Sequence, residues 1–152
     1  MCLMAYLGTA KPIPVGSHGL LTITAVAGDR ARALAHGMAS PHRYLVGIEG
    51  GCSCDFASSM DDVGADGAEH ALGTLAPDRR ERSAACVRDL IARLRDLLAA
   101  PDVVELFAVW SGDEARLPVR RVRLELSDIV PERFLLMEGV LLTVGASGPQ
   151  ER

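Results

Sequence analysis

The feature that most restricts the fold is a stripe of apolar residues at helical spacing in the second half of the chain. Its members recur every three or four positions, which is the period of one helix face. They are Val87, Leu90, Ile91, Leu94, Leu97 and Leu98. Pro101 ends the pattern, because proline cannot continue a helix. The spacing therefore predicts a helix over about 78–100 whose apolar face must be covered by another layer of structure.

Apolar runs of strand length occur on both sides of this helix. The run 103–110 directly follows it and is apolar at almost every position, which is typical of a strand buried on both faces. Further strands are predicted over 2–7, 20–27, 42–49, 52–56, 119–126 and 135–144, and a short helix over 29–37. The pattern predicts an α/β (mixed α+β) fold with a single mixed β-sheet of about five to seven strands and two main helices packed on it.

The length of 152 residues fits one domain of ordinary size. We expect a single α/β domain over 1–145 and a frayed tail over 146–152. The segment 57–77 is acidic and glycine-rich. A loop of this length is unusual inside a compact domain, and we interpret it as mobile.

Charge and missing motifs exclude several classes of function. The formal net charge of -4 disfavours nucleic-acid binding, which usually requires a basic excess. No apolar run is long enough to cross a membrane, and no signal peptide is recognisable, so we expect a cytoplasmic protein with reduced thiols. Nucleotide-binding motifs are missing, which predicts no nucleotide cofactor. A protein partner or a homo-oligomer stays open.

The most informative local pattern is Cys52-Ser53-Cys54, a Cys-x-Cys that follows Gly50 and Gly51. On a strand, residues two apart face the same side, with Cβ atoms about 6–7 Å apart. A disulfide requires about 3.5–4.5 Å, so a pair on a strand is not expected to form one. A metal ion needs only that each sulfur reaches it.

Cys2 lies near the start of the first predicted strand. If that strand lies beside the Cys-x-Cys segment, three thiols meet, and Glu49, His18, His42, His70 or water would complete the set. Three thiolates suit Zn or another soft transition metal such as Cu or Fe. A turn containing Trp110, Asp113 and Glu114 ends a buried strand and is the predicted second shell.

Other interpretations of the cysteines remain open. Free cysteine is often a buried core residue, and this is the favoured interpretation for Cys86, next to the helical stripe. Cys2, Cys52 or Cys54 would instead be the nucleophile of a thiol-dependent enzyme if its pKa were depressed. A non-catalytic interaction protein with core cysteines is the third possibility. The sequence therefore leaves open whether the protein is an enzyme.

Three patches together resemble an uncharacterised family of small bacterial proteins. They are Met1-Cys2-Leu3, the segment from Tyr44 to Phe56, and Trp110 with Gly112-Asp113-Glu114. The family's middle motif is roughly Tyr-Tyr-Leu-Gly-Ser-His-Glu-Gly-Cys-Gly-Cys-Gly-Phe. Its Ser-His-Glu is replaced here by Ile48-Glu49-Gly50. The resemblance implies no known activity, but it groups the same cysteines with the Trp110 turn.

Overall fold

The computed structural model describes residues 2–48, 52–58, 73, 75–99 and 102–147. In these ranges the strands are β1 (Leu3–Thr9), β2 (Gly16–His18), β3 (Leu21–Ala25), β4 (His42–Gly47), β5 (Ala57–Ser58), β6 (Val103–Trp110), β7 (Arg120–Glu125), β8 (Leu136–Met137) and β9 (Val140–Gly145). The α-helices are α1 (Gly28–Leu34) and α2 (Pro77–Leu97). Two single-turn 3-10 helices cover Leu126–Asp128 and Pro131–Arg133.

One mixed sheet organises the described residues. Its strand order is β2-β3-β4-β1-β6-β9-β7, and a second, two-stranded sheet pairs β5 with β8. Every neighbouring pair in the large sheet is antiparallel except β7 and β9, which are parallel. The predicted fold class, one mixed sheet of five to seven strands with two main helices, is confirmed. β1 lies at the centre of the sheet, with β4 on one side and β6 on the other.

The two helices cover opposite faces of the sheet. Leu3, Ala5 and Leu7 of β1 belong to the core that includes Leu90 and Leu94 of α2. Tyr6 of the same strand belongs to a second cluster, which contains Leu34 of α1 and Phe107 of β6. Because both faces are covered, β1 and β6 are apolar at nearly every position.

A buried carboxylate in β6 is satisfied by backbone groups that follow α1. Glu105 is 7% exposed, and its oxygens accept hydrogen bonds from the N–H groups of Ala39 and Ser40 at 3.0 and 2.7 Å. A buried charge needs partners of this kind. Glu105 therefore connects the segment after α1 to the central sheet.

Several predicted boundaries differ from the structure. The segment 9–19, between the first two predicted strands, contains an additional strand, β2, which pairs with β3 at the edge of the sheet. The predicted strand over 135–144 is divided into β8 and β9, and Gly139 between them has a φ of 73°, a conformation that favours glycine. The predicted strand over 52–56 is wrong, because these residues form a turn before β5.

Two further predictions fall largely outside the described residues. Most of the acidic segment lies there, namely 59–72 and 74, as do 148–152 of the tail.

Among the helices that are described, none is both long enough and apolar enough to span a bilayer.

Candidate metal centre

The candidate site lies at the amino-terminal end of β1. Cys2 immediately precedes this strand, and its carbonyl accepts a hydrogen bond from the N–H of Ser111 at 3.0 Å. β1 is antiparallel to both of its neighbours, so the carboxyl ends of β4 and β6 flank Cys2. The Cys-x-Cys segment follows β4 and the Trp110 turn follows β6, which explains why residues distant in sequence meet here.

The Cys-x-Cys segment reverses the chain at the end of β4. The N–H of Ile48 donates to the carbonyl of Cys52 at 3.0 Å, and the N–H groups of Phe56 and Ala57 both donate to the carbonyl of Ser53 at 3.1 and 3.0 Å. These bonds define turns rather than a strand. Cys52 and Cys54 do not lie on extended backbone, so the strand spacing that disfavours a disulfide between them does not apply.

Ser53, between the two cysteines, fixes this turn to the central sheet. It is fully buried, and its N–H donates to the Leu3 carbonyl at 3.2 Å. Its hydroxyl accepts from the Ala5 N–H at 2.8 Å and donates to the Val46 carbonyl at 2.6 Å. Ala5 and Val46 lie opposite each other in the β1–β4 ladder, and the hydroxyl bridges them.

The role of Ser53 was missed by sequence reasoning. Nothing in its neighbours along the chain indicates that its hydroxyl bridges two strands, because both partners come from other segments. With the serine side chain directed into the sheet, the flanking Cys52 and Cys54 are half-buried and exposed, respectively.

Downstream contacts hold the other end of the turn. Phe56 is 1% exposed in the main core, and its carbonyl accepts a hydrogen bond from the Leu136 N–H at 2.9 Å. The carboxylate of Asp55 forms an ion pair with Arg82 of α2. The Cys-x-Cys segment is thus connected to β1, α2 and β8.

The three thiols meet in space. The sulfurs of Cys2, Cys52 and Cys54 all lie within 4.8 Å of one another, and the Sγ atoms of Cys52 and Cys54 are 2.6 Å apart. The Cys54 N–H also donates to the Cys52 sulfur at 3.3 Å. Since Cys2 and Cys54 are exposed, a solvated ion can reach the cluster, and the three thiols lie close enough together to hold one metal ion.

The local environment opposes ionisation of Cys52 when no metal is bound. Burial raises the pKa of this thiol above its usual value, and the hydrogen bond with the Cys54 side chain raises it further. The Cys54 N–H and the Cys2 thiol act in the opposite direction but do not outweigh these effects. A metal ion would reverse this balance, because a coordinating thiol loses its proton.

The other predicted ligands differ in position. Glu49 and His70 lie outside the described residues. His42 pairs with Thr9 at the far end of β1, about 20 Å from Cys2 at the usual rise per residue. His18 lies in the edge strand β2, three strands from β1. In the described part of the chain, neither histidine belongs to the group of close ligand atoms.

Cys86 does not belong to this group of ligand atoms among the described residues. It lies on α2, is fully buried in the main core, and burial raises the pKa of its thiol. The interpretation of Cys86 as a core residue is confirmed.

The turn after β6 lies beside Cys2. Trp110 is partly buried against the main core, and Gly112 has a φ of 101°, a conformation that favours glycine. Asp113 is exposed, and its N–H donates to the Trp110 carbonyl at 2.9 Å. Because Ser111 in this turn binds the Cys2 carbonyl, the turn helps to position Cys2.

The buried side chain of Glu114 stabilises this turn through hydrogen bonds and an ion pair. Its carboxylate accepts hydrogen bonds from the Tyr6 hydroxyl at 2.9 Å and the Gly112 N–H at 3.0 Å, and it lies 3.4 Å from the Arg30 guanidinium. Burial alone would raise the pKa of Glu114, but these partners and its own backbone N–H lower it. Burial and the bond to Glu114 raise the pKa of Tyr6 far above its usual range. Tyr6 was not recognised from the sequence.

The donor set fits a soft metal ion. In a tetrahedral shell with zinc–sulfur distances of about 2.3 Å, the sulfurs stand about 3.8 Å apart. The Cys52 and Cys54 sulfurs, which are 2.6 Å apart, would separate by roughly 1 Å to reach this spacing.

The fold and the site together define a small α+β protein with a three-thiol cluster at one end of its central strand. No protein-family model, no curated protein and no solved structure matches the chain significantly.

Proposed function

We propose that the protein binds one soft transition-metal ion, such as Zn, Cu or Fe, through the thiolates of Cys2, Cys52 and Cys54. Glu49 or a water molecule fills the remaining position. The Trp110 turn, with Asp113 and Glu114, holds Cys2 in position through the hydrogen bond from the Ser111 N–H to the Cys2 carbonyl. The protein acts in the cytoplasm, where the thiols stay reduced in the absence of metal.

The observation that carries this proposal is the meeting of three thiols from distant segments. Cys2 is fifty positions from Cys52, yet all three sulfurs lie within 4.8 Å of one another. Simple burial does not account for the grouping, because Cys2 and Cys54 are exposed whereas a core cysteine is buried. Thiolates are the preferred ligands of soft metal ions.

The same environment disfavours Cys52 as the activated nucleophile of an enzyme. A reactive cysteine needs a lowered pKa, usually from a neighbouring cation or a helix N-terminus. The pKa of Cys52 is instead raised by burial and by its contact with Cys54. Metal binding is therefore favoured over thiol catalysis at this residue.

Elemental analysis of protein purified under reducing conditions tests the proposal. We expect about one equivalent of metal per chain, or uptake of one equivalent by chelator-treated protein. Titration with Co²⁺ reports the ligands directly, because thiolate-to-cobalt charge-transfer absorption grows with the number of coordinating sulfurs. Less than about a tenth of an equivalent, with no uptake on titration, would exclude the metal site.

Matched variants separate the cluster from the core. Cys2→Ser should lower the charge-transfer absorption and weaken binding, whereas Cys86→Ala should leave both unchanged. Circular dichroism of each variant verifies that the fold is retained. Equal losses in the two variants would show that binding does not depend on the cluster.

A further inference from the structure

The two sulfurs of the Cys-x-Cys segment lie side by side in a turn rather than on a strand. The Sγ atoms of Cys52 and Cys54 are 2.6 Å apart, and a disulfide bond is about 2.05 Å long. A strand would separate the corresponding Cβ atoms by about 6–7 Å. Because residues 52–56 form a turn, the strand spacing does not apply to this pair, and its sulfurs already lie near bonding distance.

The backbone holds the pair in this arrangement. Ser53 is fixed by its N–H to Leu3 and by its hydroxyl to Ala5 and Val46. The Cys54 N–H points at the Cys52 sulfur at 3.3 Å. Because the atoms between the two side chains are fixed, closing the bond costs little additional order.

We propose that Cys52 and Cys54 form a reversible intramolecular disulfide by exchange with a low-molecular-weight disulfide, and that this oxidation disassembles the three-thiol cluster. Formation of the disulfide is independent of the metal. Its effect on metal release rests on the proposed function.

The chemistry is two successive thiol–disulfide exchanges. The exposed Cys54 thiolate attacks one sulfur of the small disulfide, forms a mixed disulfide and expels the other half as a thiolate. The Cys52 thiolate then attacks the Cys54 sulfur and expels the second half. Cys52 and Cys54 together lose two protons and two electrons, and the small disulfide is reduced to two thiols. Excess small thiol reverses both steps.

Accessibility favours this pair over the other cysteines. Cys54 is exposed and Cys52 is half-buried, so a small disulfide can reach them, whereas Cys86 is buried. Cys2 belongs to the cluster but lies on another segment, with its backbone fixed to Ser111. A disulfide that includes Cys2 is the competing product, and the experiment distinguishes the two.

Oxidation would remove two of the three thiolate ligands at once. Cys2 alone cannot retain a soft ion in competition with a cellular thiol pool, because sulfur-ligated metal sites in proteins need several thiolates. Conversely, a bound ion occupies the thiolates and slows the first attack. The cluster would thus hold metal under reducing conditions and release it under oxidising ones.

Glutathione redox buffers and peptide mapping test the inference on the full chain. Chelator-treated protein is equilibrated at increasing ratios of oxidised to reduced glutathione, alkylated in acid-quenched samples and digested with trypsin. Cleavage after Arg43 and Arg79 releases the peptide 44–79, whose cysteines are Cys52 and Cys54 alone. We expect this peptide to lose the mass of two hydrogen atoms without gaining glutathione, and to recover its thiols with excess reduced glutathione.

The metal-loaded protein tests whether oxidation releases the metal. Complete oxidation should lower its metal capacity about tenfold or more, and reduction should restore it. Three results would each overturn the inference. Peptide 44–79 could stay fully alkylated at every ratio of oxidised to reduced glutathione, it could keep stable glutathione adducts, or it could be crosslinked to the peptide that contains Cys2. A closed disulfide with full metal capacity would overturn the release step.

A Cys2→Ser variant separates this inference from the proposed function. It retains the redox pair but lacks one metal ligand, so it should form the disulfide as the wild type does. If the wild type binds no metal while peptide 44–79 still closes, the metal proposal fails and the disulfide stands. If the wild type binds metal but peptide 44–79 never forms the disulfide, the metal proposal stands and the disulfide inference fails. Cys86→Ala should behave as the wild type in both assays.

Discussion

Cys86 and Cys52 carry the same side chain in two different environments. Cys86 is fully buried between α2 and the sheet, among aliphatic residues such as Leu90. Cys52 is half-buried in a turn, with the Cys2 and Cys54 thiols as neighbours. Burial raises the pKa of both thiols.

The difference lies in what can compensate for that burial. Cys86 belongs to the hydrophobic core, and its neutral thiol packs there as a small hydrophobe. Around Cys52 two further sulfurs can share a cation, which would stabilise all three as thiolates. Neighbouring side chains, rather than burial alone, therefore decide whether a cysteine belongs to the core or to a site.

The largest expected difference between the two regions is in metal affinity. Cys52→Ser removes one of three thiolates and should weaken zinc binding by about a hundredfold or more, since even outer-shell changes cost about 10–100-fold. Cys86→Ala should leave the affinity unchanged. Competition with a chromophoric chelator at constant pH measures both dissociation constants. Similar values for the two variants would show that Cys52 and Cys86 do not differ in their contribution to metal binding.

The next difference concerns stability. Cys86→Ser places a hydroxyl in the aliphatic core and should lower the free energy of unfolding by about 1–3 kcal/mol. Cys54→Ser changes an exposed side chain and should alter it by less than about 0.5 kcal/mol in the metal-free protein. Urea denaturation followed by circular dichroism gives both values. An equal cost at the two sites would show that the cluster is also a packing element.

Ser53 connects the two regions, because it fixes the cysteine turn to the central sheet. Ser53→Ala leaves the Ala5 N–H and the Val46 carbonyl without their partner and should cost about 1–2 kcal/mol of unfolding free energy. It should also weaken metal binding about tenfold, because the turn is no longer fixed.

Ser17→Ala is the matched control for Ser53→Ala, since Ser17 is exposed in the edge strand β2. It should change neither quantity. Unaltered metal affinity in a destabilised Ser53→Ala protein would limit the role of this serine to the fold.

The smallest expected effect is a pH dependence of the turn beside Cys2. The pKa of Glu114 is lowered in the folded protein, so its contribution is present above the unfolded value of about 4.3 and is lost as the pH falls through the folded value. Glu114→Gln should therefore be less stable than the wild type near neutral pH, and the gap should narrow below about pH 4.3.

Denaturation at several pH values measures this gap. Asp113→Asn, which changes an exposed residue of the same turn, is the control for removing a carboxylate without removing the bonds to Tyr6 and Gly112. A constant gap for Glu114→Gln would contradict the assigned bonds to Tyr6 and Gly112.

Part of the architecture follows from local sequence patterns. The stripe around Leu90 and Leu94 predicted α2, and the apolar run 103–110 coincides with β6. These elements are long and strongly patterned, so local periodicity is enough to identify them. The fold class followed from the same patterns. Short elements were less predictable: β2, with three residues, and β8, with two, depend on partners from other parts of the chain.

The candidate site was likewise only partly predictable from local sequence patterns. The spacing of Cys52 and Cys54 is a property of the sequence, and the sequence also predicted that Cys2 lies near the start of a strand. The turn that brings two sulfurs to 2.6 Å was not predictable, because Ser53 obtains its partners from β1 and β4. The extended backbone assumed for 52–56 was wrong for this reason.

By itself, the sequence determined the donor chemistry, the helix and strand periods, and an aliphatic core able to cover both faces of a sheet. Tertiary structure alone decided which thiols meet, because strand order placed the start of β1 between the ends of β4 and β6. It also decided that Cys86 is excluded from the cluster. Local periodicity is encoded within a few neighbouring residues, whereas strand order depends on the packing of the whole chain.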